Sequence, residues 1–234
     1  MIAARKQRWA IIILVIFLIG LLLRIIFFNT TLMPLTESRA SYRQIGMPVL
    51  VVVYYEALCP DSKFFITKQL LDTYKVAADI MEVQLVPYGK ATTKEENGKL
   101  SFDCQHGALE CQANVYHACA VESIGDPLVR IEVVTCMIRD NRFPKEAMLR
   151  CAEECGLEDK DRIQKCVDSS QGTALLKLNG EVTHALRPSI TFIPTITIDG
   201  SQGRQPSILK NLLSEVCKAA GSSDLANKIC KKNI

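Results

Sequence analysis

The stretch from Val49 to Ser62, VLVVVYYEALCPDS, constrains the chain more than any other: an apolar β-branched run that stops at a cysteine with a helix start behind it. Val49 to Tyr55 is continuously apolar, as in a strand buried on both faces of a sheet with a parallel component. Pro60 suits the first turn of a helix, Asp61 and Ser62 are good cap or first-turn residues, and Lys63 to Ala78 carries apolar side chains at helical spacing. Cys59 is therefore expected at a helix N-terminus, where unpaired N–H groups and the helix dipole favour a thiolate, the nucleophilic form. A disulfide-bonded or inert cysteine is the alternative, but no other cysteine in the chain has this strand-to-helix setting.

Residues 1–8 form a basic flank with Arg5, Lys6 and Arg8, and residues 9–28 are apolar apart from Arg24. The span is long enough for a signal anchor, and Ile25 to Phe28 stand where a signal peptide would have small residues, so a retained anchor is expected, with a cleaved signal peptide as the alternative. The basic flank then faces the cytoplasm and the rest lies in the lumen of the secretory pathway or outside, as a type II membrane protein or, if cleaved, a lysosomal or extracellular one. Residues 29–47 read as a tether with one glycosylation sequon at Asn29, and residues 48–234 as one domain. Of 28 Lys and Arg, four precede Phe28; the remaining 24 face 25 Asp and Glu, so no basic patch implies a nucleic-acid partner.

All ten cysteines fall after the apolar segment, which in a lumenal domain implies a disulfide framework whose pairing cannot be read from spacing. Cys217 and Cys230, across a Gly-Ser-Ser turn, are expected to form a local bridge to the C-terminal tail. Ile80 to Tyr88 reads as a second strand, giving a β-α-β unit, and Lys90 to Lys99 as a loop. From about residue 104 to 186 the patterns are helical: Glu110 to Val121, Asp126 to Arg139, Pro144 to Cys155 and Ser170 to Leu186. Ile190 to Asp199 returns to strand character, followed by a hairpin-like turn and a last helix from Pro206 to about Ala219. The fold class expected is α/β and thioredoxin-like, with a helical insertion stapled by disulfides, since Pro194, at the head of the last strand, stands where that fold places a proline facing the redox cysteine.

The window Cys104 to Cys119, CQHGALECQANVYHAC, resembles the signature of the gamma-interferon-inducible lysosomal thiol reductase family through Cys104, Gln105, His106, Gly107, Glu110, Cys111, Asn114 and Cys119. YYEALCPDS, LVPYGKA at Leu85 to Ala91 and PTITIDG at Pro194 to Gly200 are similar to the same family, and the likeness spans about Val49 to Cys230. Without it, Cys104, His106, Cys111, His117 and Cys119 form a possible zinc set, which the spacing disfavours; no metal is expected. His106 is expected as a surface or packing residue, and His117 and His184 carry no signal.

The resemblance implies a thiol-disulfide oxidoreductase acting on disulfide-containing proteins, with Cys59 as nucleophile and Ile193 and Pro194 shaping the substrate groove. The chain departs from the family in one respect. Disulfide-reducing members carry Cys-x-x-Cys, whereas here Cys59-Pro60-Asp61-Ser62 ends in serine. Ser62 cannot resolve a mixed disulfide, although its hydroxyl could hydrogen-bond the Cys59 thiolate. The expected enzyme is thus a monothiol, reductase or isomerase, that uses an external small thiol and no bound cofactor. The alternative is a redox-impaired, membrane-tethered module that binds unfolded or disulfide-rich chains. With Cys59 set aside, nine cysteines leave one spare, and Cys155 is the candidate.

Overall fold

The computed structural model describes residues 18–24 and 47–233. Among these, no helix is long and apolar enough to cross a membrane. The flank, anchor and tether, with the sequon at Asn29, lie outside the described residues except for 18–24, which are helical, and Met47. The remaining described residues belong to a unit spanning Arg43–Ile234.

Strand β1 (Val49–Tyr55) is central, between β2 (Met81–Pro87), to which it runs parallel, and β5 (Thr195–Ile198), to which it runs antiparallel. Because side chains alternate across a strand, Val49, Val51, Val53 and Tyr55 enter the main core with Phe65, Leu70, Leu85 and Ile196. Val52 and Tyr54 pack with Val86 on the other face. Both faces are covered, as the unbroken apolar run requires.

Behind β1, helix α1 (Pro60–Phe65) passes through a π turn (Ile66–Leu70) into α2 (Leu71–Ala77). The Thr67 hydroxyl donates to the Lys63 and Phe64 carbonyls at 2.7 and 3.3 Å, the kind of side-chain competition that loosens a helical ladder. The expected loop at 90–99 is instead largely a hairpin of β3 (Thr92–Glu96) and β4 (Lys99–Asp103). Its turn is Asn97-Gly98, both at positive φ (50° and 75°), a strong hairpin signal. β3 is polar on both faces, and β4 alternates only through Leu100 and Phe102, half-buried on one face.

The helical insertion comprises α3 (Ala108–Ser123), α4 (Pro127–Arg139), α5 (Pro144–Glu154), α6 (Lys160–Asp168) and α7 (Ser170–His184). Asp126 caps α4 by accepting from Val129 N at 2.9 Å, with Pro127 in the first turn, and Pro144 opens α5. Helix α6 is not among the expected helices; its only fully buried side chains are Ile163 and Cys166. A second core forms here, containing the Cys119–Cys166 and Cys136–Cys151 bridges. It is not independent of the first, because α4 sends Ile131, Val134 and Ile138 into one and Val133, Cys136 and Met137 into the other.

The last strand is shorter than the expected Ile190 to Asp199. Pro194 has no N–H to give to a ladder, and pairing with β1 begins at Thr195. The expected hairpin-like turn is a minimal one: Asp199 and Gly200 turn the chain at positive φ and a single antiparallel bridge joins Ile198 to Ser201. The expected final helix is two, α8 (Gln205–Lys210) and α9 (Leu212–Ala220), split at Asn211, whose side chain accepts from Ser214 N at 3.0 Å and so caps α9. The tail forms α10 (Asp224–Asn233), and Cys217–Cys230 binds it to α9 as expected.

Candidate active site

Cys59 is the N-cap residue of α1 (φ −69°, ψ 124°), with Pro60 in the first turn. It is a free thiol, 8% exposed, and its Sγ lies 3.8 Å from the Ile193 carbonyl oxygen, in contact range for a sulfur donor. The Ile193-Pro194 bond is cis. The fold thus brings Cys59 on the first strand-helix unit against Ile193 and Pro194, more than 130 residues later. Ser62, one turn into α1, is fully buried. Its Oγ accepts the Glu56 N–H at 3.3 Å, which ties the helix to the end of β1, and no bond from its hydroxyl to the Cys59 sulfur is seen among the described residues.

The loop between β1 and Cys59 is held almost group by group. Glu56 O accepts from Cys59 N at 3.3 Å, and Cys59 O from Lys63 N at 3.0 Å. Ala57 N donates to Asn114 Oδ1 at 2.9 Å, Leu58 N to Glu110 Oε2 at 3.3 Å, and Asn141 Nδ2 donates to Ala57 O at 3.2 Å. Glu110 and Asn114 are fully buried on α3, four residues apart and so on one face. His117 continues that stripe. Buried polar groups without partners are costly, and here they are used to fix backbone that no sheet or helix satisfies.

His117 is fully buried between Asn141 Nδ2 (2.8 Å from Nε2) and Tyr55 OH (2.9 Å from Nδ1). Asn141 also donates to Ala57 O, which can only accept, so its amide orientation is fixed; Nε2 must accept, and Nδ1 carries the proton toward Tyr55. Burial pulls the His117 pKa down to about 3, so the ring is neutral at ordinary pH.

A second cluster lies beside it. Glu56 and Glu110 are buried carboxylates facing His106, whose Nδ1 is 2.6 Å from Glu110 Oε2 and 3.5 Å from Glu56 Oε2. Burial raises the Glu56 pKa; the Lys90 N–H bond at 2.8 Å opposes this, and the Glu110 charge adds to it. His106, expected as a surface or packing residue, is exposed at the surface and reaches this pair through Nδ1. The three ligand atoms converge within 4.8 Å, a set with metal-ligand chemistry, but Glu110 already accepts from Leu58 N and His106 N and Glu56 from Lys90 N. The zinc set of the sequence is excluded by bonding: Cys104 pairs with Cys111 and Cys119 with Cys166. Cys155 is the spare thiol, as expected, at the end of α5, and burial raises its pKa.

Residues 50–155 match the family described as gamma interferon inducible lysosomal thiol reductase. A goldfish (Carassius auratus) protein of that name is 35% identical over 177 residues, covering 73% of this chain and 68% of its own. The chain belongs to the gamma-interferon-inducible lysosomal thiol reductase family. A thiol reductase-like protein of Anopheles gambiae is 33% identical over 72% of this chain and 74% of its own. The crystal structure of Chlamydia trachomatis DsbA superposes with a TM-score of 0.52 at 14% identity, covering 79% of this chain and 96% of that one, and the shared fold is thioredoxin-like.

The family signature thereby acquires a structural meaning. Its cysteines are bridged, and its Glu110 and Asn114 hold the loop that carries Cys59. The signature residues stand out in the sequence, but this role does not, nor do Glu56 and Asn141. The available signal was the polar stripe at residues 110, 114 and 117 on a helix whose neighbours are apolar.

Proposed function

We propose that the chain is a thiol-disulfide oxidoreductase of the lysosomal thiol reductase type, acting on disulfide-containing proteins through Cys59 as a monothiol. The observation that carries the reading is a free cysteine at a helix N-terminus, 3.8 Å from the Ile193 carbonyl, with serine where a resolving thiol would stand. Cys59 thiolate attacks a substrate disulfide, one substrate sulfur leaves, and a mixed disulfide forms. Ile193 and Pro194 border the sulfur on the side where an extended substrate would lie. Ser62 cannot complete the cycle, so an external small thiol releases the substrate; no bound cofactor is needed.

Family membership and the fixed loop around a free thiol weigh against the binding-module alternative. Residues 9–28 would anchor the domain in the secretory pathway with its cysteines on the lumenal side, and the mature N-terminal residue decides between anchor and cleaved signal. The catalytic reading is checked by insulin disulfide reduction in excess small thiol. Turnover that disappears in Cys59→Ala supports it, and absence of turnover in the unaltered protein would falsify it.

A further inference from the structure

We propose that a cavity beside the active-site loop seats the resolving thiol, and that this thiol is a small molecule carrying a carboxylate. The inference rests on the monothiol reading of Cys59. The cavity, of about 220 Å³, has Leu58 and Ile138 in its wall and Lys63, Arg139, Asp140 and Arg142 around it. Three cations thus stand against one anion, and Asp140 is already paired with Arg142 at 2.9 and 3.1 Å.

Position ties this charge to the chemistry. Leu58 adjoins Cys59 in the chain, and Lys63, whose N–H donates to Cys59 O at 3.0 Å, is one turn further along the same face of α1. A helical side chain leans toward the preceding turn, so Lys63 leans toward Cys59. Its ammonium donates to the Arg139 carbonyl at 2.5 Å, leaving two of its three donors for a carboxylate. No residue from 190 to 195 lines the cavity, which leaves the Ile193 side of Cys59 to the protein substrate. The volume is below the ~300–1,000 Å³ of sites for drug-sized ligands, so it suits one carboxylated arm rather than a folded partner.

The step balances as ordinary exchange. The small thiolate attacks Cys59 Sγ in the mixed disulfide; the Cys59–substrate bond breaks, the substrate sulfur leaves as thiolate and takes a proton from water, and Cys59 is left joined to the small thiol. A second small thiol displaces Cys59 thiolate, and the small-molecule disulfide leaves with the two electrons' worth of oxidation.

The same contacts operate when reduced protein meets a small disulfide, which allows a test without protein substrate. Oxidised glutathione, anionic, and bis(2-hydroxyethyl) disulfide, neutral, are offered separately, and adduct formation at Cys59 is followed by intact mass and peptide mapping. In the unaltered protein glutathione is expected to be favoured. In the double variant Lys63→Gln, Arg142→Gln the ratio of the two rates falls about tenfold, the scale of one charge-assisted contact. Lys68→Gln removes a charge in the π turn that follows α1 and leaves the ratio unchanged. A ratio retained in the double variant, or lowered equally by Lys68→Gln, overturns the cavity assignment while Cys59 stays a nucleophile. Reaction with neither disulfide overturns the monothiol reading itself, and the cavity assignment with it.

Discussion

At the scale of single residues, the proposed monothiol cycle turns on Ser62. Its side chain is buried and accepts the Glu56 N–H, and a hydroxyl at the position that would hold a second thiol cannot attack a mixed disulfide. A covalent complex between the protein and a disulfide substrate should therefore persist when no external thiol is present. Ser62→Cys is expected to dissolve it, since intramolecular attack needs no second molecule; non-reducing electrophoresis of the two proteins with the same substrate distinguishes the cases, and equal persistence would show that residue 62 lacks access to Cys59. Gly89 is a second decisive residue. It sits at φ +64°, and a Cβ there would lie 2.2 Å from Glu56 Cγ. Gly89→Ala should lower stability by at least about 1–2 kcal/mol from the left-handed backbone alone, before the clash with Glu56, read as a lower urea midpoint. The positions of Cys59, Ser62 and Pro194 were legible because each stands at or near a strand or helix end. Glu56 was not, because what makes it special is a glycine 33 positions on and a histidine from another element.

At the scale of elements, helix α3 does for Cys59 what a sheet ladder does for a strand: Glu110 and Asn114 satisfy backbone donors that would otherwise be buried unpaired. Asn114→Ala orphans Ala57 N–H and should cost about 1–3 kcal/mol. Because that donor belongs to the loop leading to Cys59, the same variant should slow alkylation of Cys59 by iodoacetamide or change its pH profile. A loss of stability with Cys59 reactivity unaltered at every pH would make Asn114 a fold residue only. Elements were read from the sequence where period and punctuation agreed, as in β1, β2, α4 with its Asp126-Pro127 start, and α5. The hairpin at Thr92 to Asp103 escaped because β3 has no apolar residue and β4 only Leu100 and Phe102, and α6 because two inward side chains make too thin a stripe. The break at Asn211 escaped for a different reason: it is a tertiary cap, completed by Gln69 Oε1 accepting from Leu212 N at 3.1 Å.

For the whole molecule, two buried groups set opposite responses to acid. His117 has a folded pKa of about 3 against an ordinary 6.5, so between those values the unfolded chain binds a proton that the folded one refuses, and stability falls as pH drops through this window. The slope approaches about 1.4 kcal/mol per pH unit, which integrates to about 2 kcal/mol between pH 7 and pH 5. Glu56 acts with the other sign: burial raises its pKa above the ordinary 4.5, so the folded protein keeps a proton the unfolded chain has released, and this contribution is present at low pH and lost as pH rises through the raised value. The two windows overlap in mildly acid solution, where the histidine removes stability and the carboxylate restores part of it. His117→Gln keeps polar atoms for Tyr55 and Asn141 but no longer titrates. Urea unfolding of both proteins at pH 7 and pH 5 should therefore show the gap between them narrowing, or reversing, by about 2 kcal/mol on acidification, because only the parent loses the histidine contribution while the Glu56 response is common to both. A gap that stays constant between the two pH values would mean that His117 is protonated in the folded state, and that its place between Tyr55 and Asn141 is not the closed, neutral arrangement that fixes the loop before Cys59.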